Sequence, residues 1–389
     1  MHQNPFSPSF SIHPNMFFGR KEQISRFEKA LDTPGSADRC FFLTGTRGCG
    51  KTSLLHQYAL RAANRRWQVI EATSADALDQ MLHYVKLDKS TAKSAELAPS
   101  VSIAGTAAIS LGSVSASSAV ENATSLLSQA LCKKLRSSKV KRGLAIIIDE
   151  AQKIRREEIV HIGNAVQQAR TEGLDIALVL GGLPNAYSKI RGYRDCTFLR
   201  RMRREELWCM KKSETIDLLV TMFAKVPEIA MNDEQIASIG QFTGGHPYLL
   251  QLVGDSIYTL VERSYAPERG MTVAVDDALI AEAQLKALLP YKNNVVDDAL
   301  TGAHKSTREY IRIAFELRDE TGLIKLSDIN NRYGDSPANM NSRRAYALNT
   351  QVLRPVRRGF LRFALPHYDL AFEDVDPDDE RDLDDEWEF

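Results

Sequence analysis

The sequence predicts an α/β fold: a parallel sheet wound through crossover helices, then an all-helical piece and a smaller third unit. Three observations carry this reading. Apolar runs of strand length alternate with amphipathic helical stretches over the first 210 residues. A glycine-rich loop follows the first of those runs. From Lys211 onward the apolar spacing becomes helical.

Residues 1–15 carry Pro5, Pro8 and Pro14 among polar neighbours and read as an arm with no element of its own. Ile24, Phe27 and Leu31 then share one helix face, closed by Gly35. Buried parallel strands are expected at Cys40 to Leu43, Trp67 to Ala72, Leu144 to Ile148 and Ile176 to Leu180, with a fifth at Glu206 to Met210. This assigns 16–210 to one α/β core. Within it, 88–125 is rich in Ser, Ala, Thr and Gly and reads as an insert. Val101, Ile103, Ile109 and Leu111 around Gly105 fit a small hairpin, and a flexible linker fits the same composition.

Residues 211–290 form the all-α piece. Ile216, Leu219, Val220 and Phe223 line one face, Asn232 with Gln235 makes a capping box, and Gly244-Gly245 ends a helix whose successor has Pro247 in its first turn. A polar connection, 291–303, leads to the third unit, 304–368. There Ser306-x-x-Glu309 opens a helix with Tyr310, Ile313, Ala314 and Leu317 inward. A helix around Leu326 to Ile329, a turn at Tyr333-Gly334-Asp335 and a helix from about Asn339 to Leu353 complete a helix-turn-helix. Ala345, Leu348 and Val352 are expected inside, leaving Arg343, Tyr346, Ala347, Thr350 and Arg354 outward. Arg357-Arg358-Gly359-Phe360 and the alternation after it fit a wing hairpin tipped with arginine. Such a winged helix contacts DNA through Arg343, Tyr346, Thr350, Arg354, Arg357 and Arg358, or serves as a protein docking module.

The net charge of zero hides an asymmetry. Positions 368–389 hold twelve acids and only Arg381; setting these aside leaves 49 basic and 38 acidic residues. A basic body suits a polyanion partner. The acidic tail, 369–389, reads as a tethered competitor for the basic face, as a docking segment through Trp387 and Phe389, or as solvated disorder. Five cysteines without metal spacing, and no signal-like opening, point to a cytoplasmic protein. No apolar run approaches the roughly 20 residues that cross a bilayer, so no membrane partner is expected.

The chemistry sits in two places. Gly45-Thr46-Arg47-Gly48-Cys49-Gly50-Lys51-Thr52 fits G-x-x-x-x-G-K-[ST] between an apolar strand and the amphipathic stretch Leu54, Leu55, Tyr58, Ala62. Its glycines let backbone N–H groups face phosphates, Lys51 adds charge, and Thr52 offers a hydroxyl to Mg²⁺. About a hundred residues on, the strand Leu144 to Ile148 ends in Asp149, a second metal contact, and Glu150, placed to activate water. ATP with Mg²⁺ is the expected ligand and ATP hydrolysis the expected reaction.

The order Phe18-Gly19-Arg20, Gly45 to Thr52, Asp149-Glu150-Ala151-Gln152, Leu180-Gly181-Gly182-Leu183-Pro184 and Thr243-Gly244-Gly245-His246-Pro247-Tyr248, then a winged helix, resembles AAA+ ATPases. The resemblance is to the archaeal and eukaryotic origin-recognition and helicase-loading initiators and to signal-transduction ATPases with numerous domains. It implies a P-loop AAA+ core with a helical lid and ATP-dependent homo-oligomers. Phe18, Gly19 and Arg20 would lie near the adenine, Gly45 to Ser53 would hold the phosphates, and His246-Pro247 would close over the base or sugar. Lys51, Glu150 and an arginine finger, Arg201, among Arg200, Arg201, Arg203 and Arg204, would be catalytic; a solvated basic cluster is the other reading of those four. No polar sensor is evident between Gly181 and Asn185. The resemblance implies an ATP-hydrolysing switch that binds DNA and assembles or remodels a nucleoprotein or partner complex, or else a signalling ATPase whose C-terminal unit binds protein.

Overall fold

In a computed structural model, residues 1–8, 17–86, 116–137, 142–266 and 271–372 are described. The hairpin expected within 101–111, the end of the arm and the acidic tail beyond residue 372 lie outside the described residues. The chain forms two compact units: 20–44 with 51–206, and 1–19 with 45–50 and 207 onward.

The first unit is built on a parallel five-stranded sheet of order β2-β3-β4-β1-β5. Its strands are β1 (Cys40–Gly45), β2 (Gln68–Thr73), β3 (Leu144–Asp149), β4 (Ile176–Gly182) and β5 (Arg203–Leu207). Between them run α1 (Lys21–Asp32), α2 (Lys51–Asn64), α3 (Ala77–Val85), α4 (Ala116–Ser137), α5 (Arg156–Thr171), α6 (Pro184–Arg191) and α7 (Thr197–Arg201). Strands covered on both faces have no reason to alternate, which is why Leu144 to Ile148 is an unbroken apolar, buried run.

Four strands lie within two residues of expectation, but β5 begins three residues early. Arg203 and Arg204, read from the sequence as finger candidates or as part of a solvated cluster, are strand residues. Arg203 lies over the Phe41 ring at 5.2 Å and bonds Glu205 at 2.9 Å and Asp38 at 3.1 Å. Arg204 lies over Tyr187 and donates to Thr44 Oγ1 at 3.0 Å. Their long stems cover apolar surface while their heads find partners, which hydrophobicity alone does not register.

Arg39, 1% exposed, is the most deeply buried arginine of this unit among the described residues. It meets Asp175 at 2.5 Å, donates to the Ala30 and Leu31 carbonyls, and lies over Trp67. A buried guanidinium is tolerated because its donors are satisfied.

The second unit contains α8 (Lys212–Phe223), β6 (Ile229–Ala230), α9 (Asp233–Thr243), α10 (Pro247–Tyr265), β7 (Val273–Ala274) and α11 (Asp277–Tyr291). A π turn, Lys292–Val296, and the short α12 (Asp297–Ala299) follow. Then come α13 (Lys305–Glu316), β8 (Ile324–Lys325), α14 (Leu326–Tyr333), α15 (Pro337–Asn349), β9 (Leu353–Arg357) and β10 (Phe360–Phe363). The last three strands form an antiparallel sheet of order β8-β10-β9.

One buried cluster runs through this unit from Phe6 to Leu370. The expected polar connection at 291–303 is therefore largely helical, because Tyr291, Val295, Val296 and Leu300 belong to that core. The Asn232–Gln235 capping box is present, with reciprocal bonds of 2.8 and 3.0 Å. The box expected at Ser306 is absent: His304 caps α13 instead, accepting from the Ser306 N–H. The start of the arm has no regular structure, yet it is seated. Phe6 is buried against Phe223, Asn4 donates to Asp255 at 2.7 Å, and the His2 N–H donates to the buried Glu228 at 3.0 Å.

Candidate nucleotide site and C-terminal basic face

β1 is buried along its whole length and ends in the loop that Lys51 converts into α2. Gly48 and Gly50 have φ of +70° and +90°, backbone that L side chains avoid. Gly48 is also crowded, since a Cβ there would stand 2.7 Å from His246 Cε1 and from Tyr248 Cβ. Lys51 is 8% exposed, while Thr52 opens to solvent and Ser53 is half-buried.

In the sheet, β4 lies between β1 and β3. The carboxyl ends of β1 and β3 thus flank one short gap, the position where open α/β sheets bind ligands. Thr52 Oγ1 donates to Asp149 Oδ2 at 2.6 Å, so the expected metal contacts are already together. Asp149 Oδ1 accepts from the Glu150 N–H at 2.7 Å. Glu150 has φ +56° and accepts on Oε2 from Gln152 Nε2 at 2.7 Å and Lys153 Nζ at 3.0 Å. No polar residue from β4 stands here; Gln152 does, its Oε1 accepting from the Leu183 N–H at 3.1 Å.

Residues 45–50 of the glycine loop belong to the unit that runs from 207 onward, and that unit holds them by several contacts. His246 is fully buried; its Nε2 donates to the Arg47 carbonyl at 3.1 Å, and its Nδ1 faces the Leu249 N–H at the start of α10. That places His246 against the loop's backbone. Pro247 is the first residue of α10, and the Tyr248 N–H donates to the Gly48 carbonyl at 3.2 Å. Arg47 pairs with Asp298 of α12 at 2.6 Å, and Tyr248 Oη accepts from Asn294 in the π turn. The His246 ring meets that of Tyr291, whose hydroxyl donates to the Pro366 carbonyl at 3.4 Å. Of these, Tyr248 could have been suspected beside His246-Pro247; Asp298, Asn294 and Tyr291 carry no local signal. Phe18 packs on this unit's core, Gly19 lies against the Glu214 carboxylate, and Arg20 is the buried residue before α1.

Among described residues, no group of three His, Cys, Asp or Glu could cage a metal. Thr52 and Asp149 are hard oxygen donors at one point, which suits Mg²⁺ delivered with phosphates rather than an all-protein site. Arg200 and Arg201 are exposed at the end of α7. All five cysteines are free, and no described helix is long and apolar enough to cross a membrane.

At the C-terminal end, Leu348 packs on the core and Val352 is buried, as expected of the last helix, and the difference lies in its alanines and its start. Met340 and Ala347 face inward and Ala345 is exposed. Arg343 is largely covered: it pairs with Asp335 and lies over Tyr333 at 4.6 Å, closing the turn before its own helix. Its donors hold the Asp335 carboxyl down to about 2, with help from Asn339 and the Ser336 N–H. Thr350 bonds back to the Tyr346 carbonyl, and Arg354 lies over Trp208. Arg357 and Arg358 are exposed at the β9–β10 turn, Arg357 resting on Phe360.

Residues 16–181 match the family model described as AAA ATPase domain. Over the whole chain the fold is similar to a Walker-type ATPase of Pyrococcus abyssi, with 15% identity, a TM-score of 0.56, and 92% of this chain and 95% of that one covered. It is also similar to the ORC2 protein of Aeropyrum pernix, solved in ADPNP–ADP complexes, with 13% identity, a TM-score of 0.53, and coverage of 94% and 95%. No curated protein matches the sequence.

Proposed function

We propose that this chain, whose residues 16–181 form an AAA ATPase domain, hydrolyses ATP with Mg²⁺ and uses the cycle to switch a C-terminal winged helix on DNA. The observation that carries the reading is the Thr52–Asp149 bond at 2.6 Å with Glu150 next in the chain. It brings a hydroxyl and two carboxylates to one end of the sheet, the groups that Mg²⁺ binding and water activation would need. Lys51 and the loop N–H groups would bind the β and γ phosphates, Thr52 and Asp149 would hold Mg²⁺, and Glu150 would take the proton of the attacking water. Mg²⁺, when bound, neutralises charge on the phosphate oxygens.

The ties from the loop through His246 and Tyr248 to Tyr291, Asn294 and Asp298 support a switch, because phosphate binding must act on residues that brace the C-terminal elements. Three helices and an antiparallel hairpin support the winged helix, and the exposed Arg357 and Arg358 support a phosphate contact. Arg343, already paired, is better placed to stiffen the turn. The exposed Arg201 supports self-assembly in which one copy completes its neighbour's site.

Phosphate release from the purified chain, with Glu150→Gln as control, tests the first half. Anisotropy of a labelled DNA duplex over a salt series tests the second. Replacing both Arg357 and Arg358 by alanine should lower the slope of log affinity against log salt by about 2. Binding with no salt dependence, or identical in wild type and variant, sinks the DNA reading.

A further inference from the structure

We infer that Gln152 is a positioning residue for hydrolysis, holding the Glu150 carboxylate from the β3 side where β4 supplies no polar side chain. The inference rests on Glu150 being the base that activates water.

A carboxamide's two ends are told apart by their partners. Leu183 N–H can only donate, so the oxygen of Gln152 must face it, at 3.1 Å. The NH₂ group is thereby directed at Glu150 Oε2, at 2.7 Å. The space for this bridge exists because residue 182 is glycine: a Cβ there would stand 2.8 Å from Gln152 Oε1. Gln152 therefore ties the acid at the end of β3 to the backbone at the end of β4.

The bridge occupies one oxygen of Glu150 and leaves Oε1 for water. Lys153 reaches the same Oε2, but its side chain is 68% exposed, and such a pair restrains little. Gln152 is anchored at both ends and supplies the restraint. In the reaction, water oxygen bonds to the γ-phosphorus, the bond to the ADP oxygen breaks, and the water proton passes to Glu150, giving ADP and phosphate. An acid free to swing would lose the alignment this transfer needs.

The test uses the full chain, with steady-state phosphate release over an ATP series at saturating Mg²⁺ and a separate measurement of ATP affinity. Gln152→Met keeps the length of the side chain and removes both hydrogen bonds; Gln152→Glu keeps the shape and replaces the donor with a repelling acceptor. Both should lower kcat by about 10-fold or more, with KM and ATP affinity within about two-fold of wild type. Either of two results overturns the inference while leaving hydrolysis in place: kcat retained in Gln152→Met when Glu150→Gln abolishes turnover, or ATP affinity lost in step with kcat. Full turnover in Glu150→Gln overturns the reading beneath it.

Discussion

Alanine at Gly48 and, separately, at Gly50 distinguishes strain within the phosphate loop from the loop's contact with α10. Both positions have left-handed backbone, at φ +70° and +90°, which costs a residue with a Cβ about 1–2 kcal/mol. They differ in surroundings. A Cβ at Gly50 meets nothing within 4 Å, whereas one at Gly48 stands 2.7 Å from His246 Cε1 and Tyr248 Cβ. Neither neighbour can turn aside freely, since His246 is bonded to the Arg47 carbonyl and Tyr248 to the Gly48 carbonyl. Relieving such overpacking costs about 1–3 kcal/mol. Gly50→Ala should therefore lose about 1–2 kcal/mol and Gly48→Ala about 2–5 kcal/mol. Hydrogen exchange of the amides from Tyr248 to Leu250, without nucleotide, reads the opening of α10's first turn; Gly48→Ala should accelerate it more than Gly50→Ala. Equal acceleration would falsify the packing argument, because the backbone term alone would then account for both.

Further outcomes follow from contacts elsewhere. Asp335 is depressed to about 2, chiefly by Arg343; a carboxyl lowered by folding contributes stability above its ordinary value, lost as pH falls from about 4 toward 2. Thermal unfolding of Asp335→Asn should show a flatter acid limb, and an unchanged limb refutes the pairing. Phe6→Ala empties a buried ring site and should cost about 3 kcal/mol in urea unfolding; a loss below about 1 kcal/mol would mean the arm is not seated. Asp175→Ala removes the carboxylate from Arg39, a guanidinium 1% exposed, and should cost about 3 kcal/mol. A neutral result in the same denaturation would show that the two backbone carbonyls suffice.

The site was legible wherever its chemistry is local. Gly45 to Thr52 needs adjacent residues in one turn, and Asp149-Glu150 needs only the end of an apolar strand. The β5 boundary was misjudged because Arg203 and Arg204 are satisfied by Phe41, Asp38 and Thr44, more than a hundred residues away, and by Tyr187 on α6. On the inner side of α15 only the alanines were misjudged: Ala345 is exposed and Ala347 buried, while Leu348 packs on the core and Val352 is buried as expected, and alanines carry little pattern either way.

The amino-acid sequence by itself determined the sheet, its order of strand and helix, the phosphate loop and the paired acids, because periodicity and short motifs are properties of neighbours in the chain. Tertiary structure alone decided that His246 braces the Arg47 carbonyl, that Asp298 pairs with Arg47, and that Gln152 stands where β4 offers only glycine. These contacts depend on which distant backbone groups are left needing a partner, and that is settled only once the chain has packed.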